Sequence, residues 1–406
     1  MTPRDDAALT VYSAPWCPHC KRVKRFLAAH RTPYRQIDID GDPAAIDELK
    51  ALQGGRQIIP TVVYGDGSHD VNPSDEDLAR RIGLDLVAER LAYDLVIVGG
   101  GPAGLAAAIY AAREGIDAIL VESSGLGGQA GISDQIDNYP GFPEGITGAE
   151  LSDRFVAQAR RYGVELLSAV SVTSVVRDGG DLVTTTSTGQ EICSHAVIVA
   201  TGSTYRRLDV PGEDELLGAG VHYCATCDGP FYKGAEDLVV IGGGNSALEE
   251  GLHLSEFAHR VRVIARNELS AAPVLVERVR SDPQFVVETG MDIVQFDGER
   301  GRLTAVEARD RSTGDVKRFP AAAAFVFIGL LPNTAFLGDT VERDPAGFIV
   351  TSATFETSLP GVFAAGDVRA GSTKQLGSAV GDGIAALLMT RRYLEEHKQM
   401  AVATQS

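Results

Sequence analysis

Two segments of this chain run an apolar strand into a glycine cluster and out again into a helix: Tyr93-Asp-Leu-Val-Ile-Val-Gly-Gly-Gly-Pro-Ala-Gly104 and Leu238-Val-Val-Ile-Gly-Gly-Gly-Asn-Ser-Ala247. A strand that ends this way lets backbone amides approach a pyrophosphate at the N-terminus of the following helix. In the first segment Gly99 makes the tight turn, Gly101 admits the phosphates and Gly104 permits close packing of helix on strand, with Pro102 and Ala103 opening the helix. Glu122 follows at about the 20-residue interval expected of a carboxylate that binds a ribose hydroxyl. The second segment has Gly242, Gly244 and Ala247, with Asn245 and Ser246 at the helix start. No carboxylate stands at its ribose position, and Arg266 there either meets a 2′-phosphate, which favours NADP, or is an ordinary surface arginine. Two copies about 140 residues apart predict two nucleotide-binding units of α/β type rather than a short-period repeat array.

A chain of 406 residues at roughly 100–200 residues per domain predicts three domains. The net charge of −18 argues against nucleic acid, which requires a basic footprint. Residues 1–90 carry only −2 of that charge, and Lys21-Arg-Val-Lys-Arg25 forms a basic helix face. Such a face either docks on the acidic remainder or is simply solvated. No apolar run approaches the ~20 residues of a membrane span, and the polar start lacks the pattern of a signal peptide. These features predict a cytosolic chain.

Four of the five cysteines form two Cys-x-x-Cys pairs, Cys17-Pro-His-Cys20 and Cys224-Ala-Thr-Cys227. This spacing closes a small disulfide ring, and a helix N-terminus commonly stabilises its thiolate. A zinc site needs two further ligands; His222 and His253 are the candidates near the second pair, but redox chemistry is the stronger reading and no metal is expected. For Cys17 and Cys20, Trp16 and Pro18 shape a redox turn rather than a ligand knuckle. Asp228, next to the second sulfur, either shuttles a proton as thiol and disulfide interconvert or caps the following turn. Cys193 is expected to be a buried strand residue without chemistry.

At the N-terminus, strand Leu9–Ser13 leads into the first dithiol and a helix over 21–30. A strand at 34–39, a helix at 44–52 and a strand at 61–64 complete an α/β unit within residues 1–85. Pro60, just before the third strand, is placed for a cis peptide facing the dithiol. Beyond the second fingerprint come a strand-rich stretch over 284–328, a buried strand ending in Gly366-Asp367, a helix from about Ser378 and a frayed tail after about His397.

From Tyr93 to about Tyr393 the chain resembles the low-molecular-weight thioredoxin reductases. The likeness rests on Gly99–Gly104, Gly127-Gly128-Gln129, Asn138-Tyr-Pro-Gly141, Ala200-Thr-Gly202, Cys224–Asp228, Gly242–Glu250 and Gly361–Asp367. It implies FAD in a Rossmann-like three-layer domain split as 93–206 and 331–395, with an NAD(P) domain, 207–330, inserted and carrying the dithiol. It also implies FAD contacts from Glu122 to Gln129, at Asn138 and over Asp367, Lys374, Gln375 and Leu376, with Gly366 at the turn. Cys227 becomes the sulfur near the flavin, Cys224 the exchanging one and Asp228 the acid. Joints near Thr201-Gly202 and Leu331–Asn333 would let the inserted domain rotate. The family's His-Arg-Arg cluster and further Arg for the NADPH 2′-phosphate read here Ala265, Arg266, Asn267 and Ala271, so NADH stands beside NADPH as the donor.

Residues 1–85 resemble glutaredoxins, of thioredoxin-like fold. Gly54-Gly-Arg-Gln-Ile-Ile-Pro-Thr-Val-Val, Gly65-Asp-Gly-Ser and Asn72-Pro-Ser are most similar to the mycoredoxin branch, which implies attack by Cys17 on mixed disulfides. Joined by a linker at 86–92, the parts imply a homodimeric disulfide reductase. Electrons would run from NAD(P)H through FAD and Cys224–Cys227 to Cys17–Cys20, and on to a protein or small-thiol disulfide. Alternatives are an electron donor to a peroxidase, a dithiol oxidase and a slow flavin redox sensor.

Overall fold

The computed structural model describes residues 9–14, 17–40, 42–133, 136–299 and 301–405. Its contacts divide the chain into two units, one of residues 1–204 with 331–406 and one of Tyr205–Leu330.

The first unit begins with a four-stranded sheet in the order β2-β1-β3-β4. These strands are β1 (Leu9–Ser13), β2 (Arg35–Asp38), β3 (Thr61–Tyr64) and β4 (His69–Val71). Three helices accompany it: α1 (Pro18–Ala29), α2 (Pro43–Leu52) and α3 (Asp75–Arg81). Asp42 caps α2, and a Ser74–Asp77 capping box starts α3, each satisfying amides that the first helical turn leaves open. Leu9, Val11, Val23, Phe26, Leu27, Val62 and Leu78 form one core cluster, with Ala169 of the following domain packed into it. Arg22 of the basic helix face turns to Asp75 and the carbonyl of Pro73. Contacts with the following domain come instead from Ser124, whose hydroxyl donates to Asp75 at 2.5 Å, and from Arg31 with Asp153 at 3.4 Å.

The next layer is a seven-stranded sheet built on β5 (Ala92–Val98), β6 (Ala118–Glu122), β7 (Glu165–Ser168) and β10 (Glu191–Val199), all parallel. The antiparallel pair β8 (Val172–Asp178) and β9 (Asp181–Thr186) extends one side, and β21 (Val362–Ala364) joins β10. Helix α4 (Pro102–Arg113) is wedged beside α5 (Gly148–Arg161) and α9 (Leu376–Gln405), burying nearly every side from Ala103 to Ala111. Alanine and glycine make this possible: a Cβ on Gly383 of α9 would lie 2.1 Å from the carbonyl oxygen of Ala103. The backbone of α9 continues to Gln405 rather than fraying after His397, since no glycine or proline interrupts that stretch.

The chain passes between units through β11 (Ser203–Tyr205) and β20 (Leu330–Pro332), which pair with each other. The second unit has a five-stranded parallel sheet in the order β12-β19-β13-β14-β15. Its strands are β12 (Val221–His222), β13 (Ala235–Ile241), β14 (Ala258–Ala265), β15 (Phe285–Thr289) and β19 (Ala323–Val326). An antiparallel trio, β16 (Met291–Glu299), β17 (Arg302–Asp310) and β18 (Val316–Pro320), covers one face through Phe296, Val306 and Phe319. Helices α6 (Ala225–Asp228), α7 (Asn245–Leu254) and α8 (Pro273–Ser281) complete it.

Cys193 departs from expectation. It is exposed and its thiol is free, because strand alternation turns the buried Ile192 inward and residue 193 outward.

Candidate functional site

In the first nucleotide cradle, β5 ends at Val98 and Gly99 adopts φ +110, the left-handed region that favours glycine. A Cβ on Gly104 would lie 1.9 Å from the Gly99 carbonyl oxygen, so that glycine holds α4 against the turn. Gly101 is different. Its φ of −75 suits any residue, and a Cβ there would meet only the Cα of Gly128, at 3.9 Å. The fold does not require glycine at 101, whereas a ligand backed onto the amides at the start of α4 does. Pro102 and Ala103 begin that helix as expected. Glu122, at the end of β6, accepts from the Gly100 amide at 2.6 Å and the Ser124 amide at 2.9 Å, which places its carboxylate at the rim of the cradle.

Gly127 and Gly128 both have positive φ and begin a 3-10 turn that carries Gln129. The amide of Asn138 donates to Gln375 Oε1 at 3.3 Å. At Gly366, φ +73 turns the chain into Asp367, whose burial pushes its carboxyl pKa up and which accepts a long hydrogen bond from the Ser372 hydroxyl, at 3.4 Å. Lys374 Nζ donates to the Asp367 carbonyl at 2.6 Å and sits 4.0 Å over the Phe348 ring, and burial lowers its pKa. Leu376 packs beside Ile136, Ile146 and Leu151. A half-buried carboxyl with one weak donor, beside a cradle that a Cβ would fill, fits a group bearing both hydroxyls and a pyrophosphate. FAD is such a group, and when bound it supplies a two-electron carrier between nicotinamide and sulfur.

The second cradle repeats the first. Gly242 has φ +139, and at Gly244 a Cβ would meet nothing within 4 Å. Asn245, Ser246 and Ala247 begin α7, with Asn245 Oδ1 accepting from the Ala272 amide at 2.7 Å. The two cradles correspond residue by residue. A Cβ on Gly100 would face Glu122 and Leu126, and one on Gly243 would face Ala265 and Leu269. Ala265 therefore stands where Glu122 does, and the ribose carboxylate is absent from this position. Arg266 is exposed and pairs with Asp292 at 3.0 Å. Arg311, a residue the sequence reading missed, reaches the same carboxylate at 3.6 Å and donates to Asn267 Oδ1 at 3.1 Å. It arrives from the turn after β17, so no local motif announces it.

Both dithiols lie at helix starts. Cys17 caps α1, its sulfur accepting from the Cys20 amide at 3.1 Å, and the pair is closed as a disulfide with Cα atoms 5.2 Å apart. Both residues are buried, the Ile59–Pro60 bond is cis, and the Ile59 carbonyl lies 4.0 Å from the Cys17 sulfur. Trp16 and the side chain of Cys227 lie outside the described residues. Cys224 is disulfide-bonded. Tyr223 before it is anchored by the buried carboxylate of Glu213, which also accepts from the Leu208 and Asp209 amides. Burial, then that hydrogen bond, push the Tyr223 pKa up. Asp228 makes no capping bond. Its carboxylate instead lies 3.3 Å from His222 Nδ1. Among the described residues no group of three His, Cys, Asp or Glu side chains is placed to hold a metal ion.

The family model for pyridine nucleotide-disulphide oxidoreductases matches residues 93–383, and the glutaredoxin model matches residues 9–69. A thioredoxin reductase of Listeria innocua is 38% identical over 316 residues, covering 77% of this chain and 98% of that protein. This chain belongs to the thioredoxin reductase family. A bifunctional thioredoxin reductase/thioredoxin of Mycobacterium leprae is 39% identical over 76% of this chain and 68% of its own length. The crystal structure of thioredoxin reductase from Streptococcus pyogenes matches with a TM-score of 0.71 at 35% identity, covering 75% of this chain and 99% of that one. The chain is thus an FAD-dependent NAD(P)H:disulfide oxidoreductase with a glutaredoxin domain at its N-terminal side. No helix among the described residues is long and apolar enough to cross a membrane.

Proposed function

We propose that this reductase supplies electrons to its own glutaredoxin domain. In this reading residues 93–206 and 331–395 hold FAD, and the inserted domain, residues 207–330, holds the nicotinamide cofactor and the Cys224–Cys227 dithiol. Gly99, Gly101, Gly104, Glu122, Gly128, Gln129, Asn138, Asp367 and Lys374 line the flavin cradle, and Gly242, Gly244, Asn245 and Arg266 the nicotinamide one. Cys227 takes electrons from the flavin, Asp228 supplies the proton, and Cys224 exchanges with Cys17–Cys20. From there the pair passes to a thioredoxin- or glutaredoxin-type protein disulfide or a small-thiol disulfide, in a cytosolic homodimer. The observation that carries this is the second dithiol: a buried, closed Cys17–Cys20 pair at a helix N-terminus of the same chain. Tethering holds such a dithiol at an effective concentration in the ~mM range when the linker spans the sites. Anaerobic stopped-flow mixing of Cys224→Ser with NADPH or NADH tests the route. Flavin reduction is expected to persist while Cys17–Cys20 stays oxidised; rapid appearance of free Cys17 thiol would eliminate it.

A further inference from the structure

The environment of Asp228 contains more than an acid. His222, on β12, is paired in parallel register with Phe325 on β19, and its ring stacks on Phe325 with centroids 5.2 Å apart. Tyr232, at the end of the short 3-10 turn Gly229–Tyr232, packs edge-on against both rings. The imidazole is 6% exposed, and each of its nitrogens has a partner. Nε2 lies 2.7 Å from the Tyr232 hydroxyl and Nδ1 lies 3.3 Å from Asp228 Oδ2.

The partners decide the tautomer. An ionised Asp228 offers Nδ1 only an acceptor, which leaves Nε2 to accept from the Tyr232 hydroxyl; burial, and then the Asp228 charge, push the Tyr232 pKa up to about 12, so the phenol holds its proton. In that tautomer the ring carries its proton on Nδ1, the nitrogen 3.3 Å from Asp228 Oδ2. Arg302 is the charged group facing Tyr232 from β17. Glu250 on α7 accepts from the Ala225 amide, and burial raises its own pKa.

We propose that Tyr232, His222 and Asp228 form a proton relay, in which His222 is a positioning residue that orients and recharges the acid serving the Cys224–Cys227 pair. The inference rests on Asp228 being that acid. In the step served, the S–S bond breaks and two S–H bonds form while one NAD(P)H becomes NAD(P)+. NAD(P)H supplies the electron pair and one of the two protons, and Asp228 gives the second. His222 Nδ1–H then reprotonates the carboxylate as the hydroxyl of the half-buried Tyr232 reprotonates Nε2 and takes a proton from water, and proton exchange at the ring restores the Nδ1–H tautomer before the next turnover.

The test is anaerobic rapid mixing of the full FAD-loaded chain, with Cys17, Cys20 and Cys193 replaced by serine, across a pH series, quenched with acid before the thiols formed at the Cys224–Cys227 pair are counted with the aromatic disulfide DTNB. His222→Asn keeps a polar group facing Asp228 but cannot relay a proton. Tyr232→Phe removes the donor to Nε2 alone, and keeps the question open to measurement should the His222 variant fail to hold FAD. The relay predicts that His222→Asn slows dithiol formation about tenfold or more and shifts its pH profile. Tyr232→Phe moves the profile in the same direction by less. Profiles that superpose on the wild type for both variants, with Asp228→Asn slow, overturn the relay while sparing Asp228 as the acid. An unimpaired Asp228→Asn overturns both.

Discussion

Gly101 and Gly104 sit three residues apart in one motif, yet the structure assigns them opposite reasons for being glycine, and alanine at each separates the two. At 104 a methyl would lie 1.9 Å from the Gly99 carbonyl oxygen, short of ordinary contact by about 1.5 Å, with backbone on both sides. Neither partner can rotate away, so α4 must lift off β5. Overpacking of this kind costs about 3 kcal/mol or more. At roughly 2–4 °C per kcal/mol for a unit of this size, Gly104→Ala lowers the Tm of the apoprotein by about 6–12 °C. At 101 the methyl would meet only Gly128 Cα at 3.9 Å, so Gly101→Ala folds within about 0.5 kcal/mol of wild type. Its effect appears on adding flavin. A methyl between the α4 amides and a pyrophosphate costs about 1–3 kcal/mol of binding, or about 5- to 150-fold in Kd. Apoprotein melting and fluorescence titration with FAD read the two quantities separately. Gly180→Ala, where a Cβ meets nothing within 4 Å, serves as the unperturbed control. Wild-type flavin affinity in Gly101→Ala, or an unshifted Tm in Gly104→Ala, would refute this assignment of roles.

Further outcomes follow from other groups. Burial raises the Asp367 pKa, so its contribution to apoprotein stability is present at low pH and is lost as pH rises through the folded value. Asp367→Asn should therefore raise the apoprotein Tm at pH well above the carboxylate range and not below it, while weakening FAD in titrations. His30, packed on Phe26 where the glutaredoxin domain meets Ser124, has its pKa lowered, chiefly by burial and then by Arg160, and its Nε2 has no partner. Its neutral form is the one accommodated, so stability is full above the unfolded histidine pKa of about 6.5 and falls as pH drops through the folded value. His30→Gln should flatten that acid limb in a melting series. Asp292 ties up Arg266 and Arg311. Asp292→Asn frees two guanidiniums for a 2′-phosphate and should raise the NADPH-over-NADH ratio of kcat/KM several-fold; an unchanged ratio would place the phosphate elsewhere.

The nucleotide cradles were legible because each is one contiguous strand, turn and helix whose glycines carry their own steric reasons. The strand-rich stretch after residue 284 and the helix from Leu376 were legible from pattern in the same way. Cys193 was misread because an apolar neighbourhood in sequence does not say which face of a strand meets solvent. Ala265 against Glu122 could be compared by counting, but Arg311 could not be found, since it and Asp292 belong to the antiparallel trio, a different sheet from the one whose β14 leads to Arg266. Likewise, Asp228 beside a sulfur allowed either a cap or an acid; the tertiary structure gives it no capping bond and sets it 3.3 Å from His222 Nδ1, which no local reading could supply.

What the amino-acid order determined by itself is the set of short-range devices: two glycine turns that expose helix amides, and two dithiols spaced to close a small disulfide ring at a helix start. Their physics is local, since steric freedom, helix dipole and ring closure act within a few residues. The tertiary structure decided which side chains meet across those devices. His222 reaches Asp228 and Tyr232 because β12 pairs with β19 beneath them, and Asp75 reaches Ser124 because two domains of one unit share a core at Ala169. Whether the groups are near in sequence, as His222 and Tyr232, or far apart, as Asp75 and Ser124, their hydrogen bonding and burial depend on strand register and packing that local order does not set.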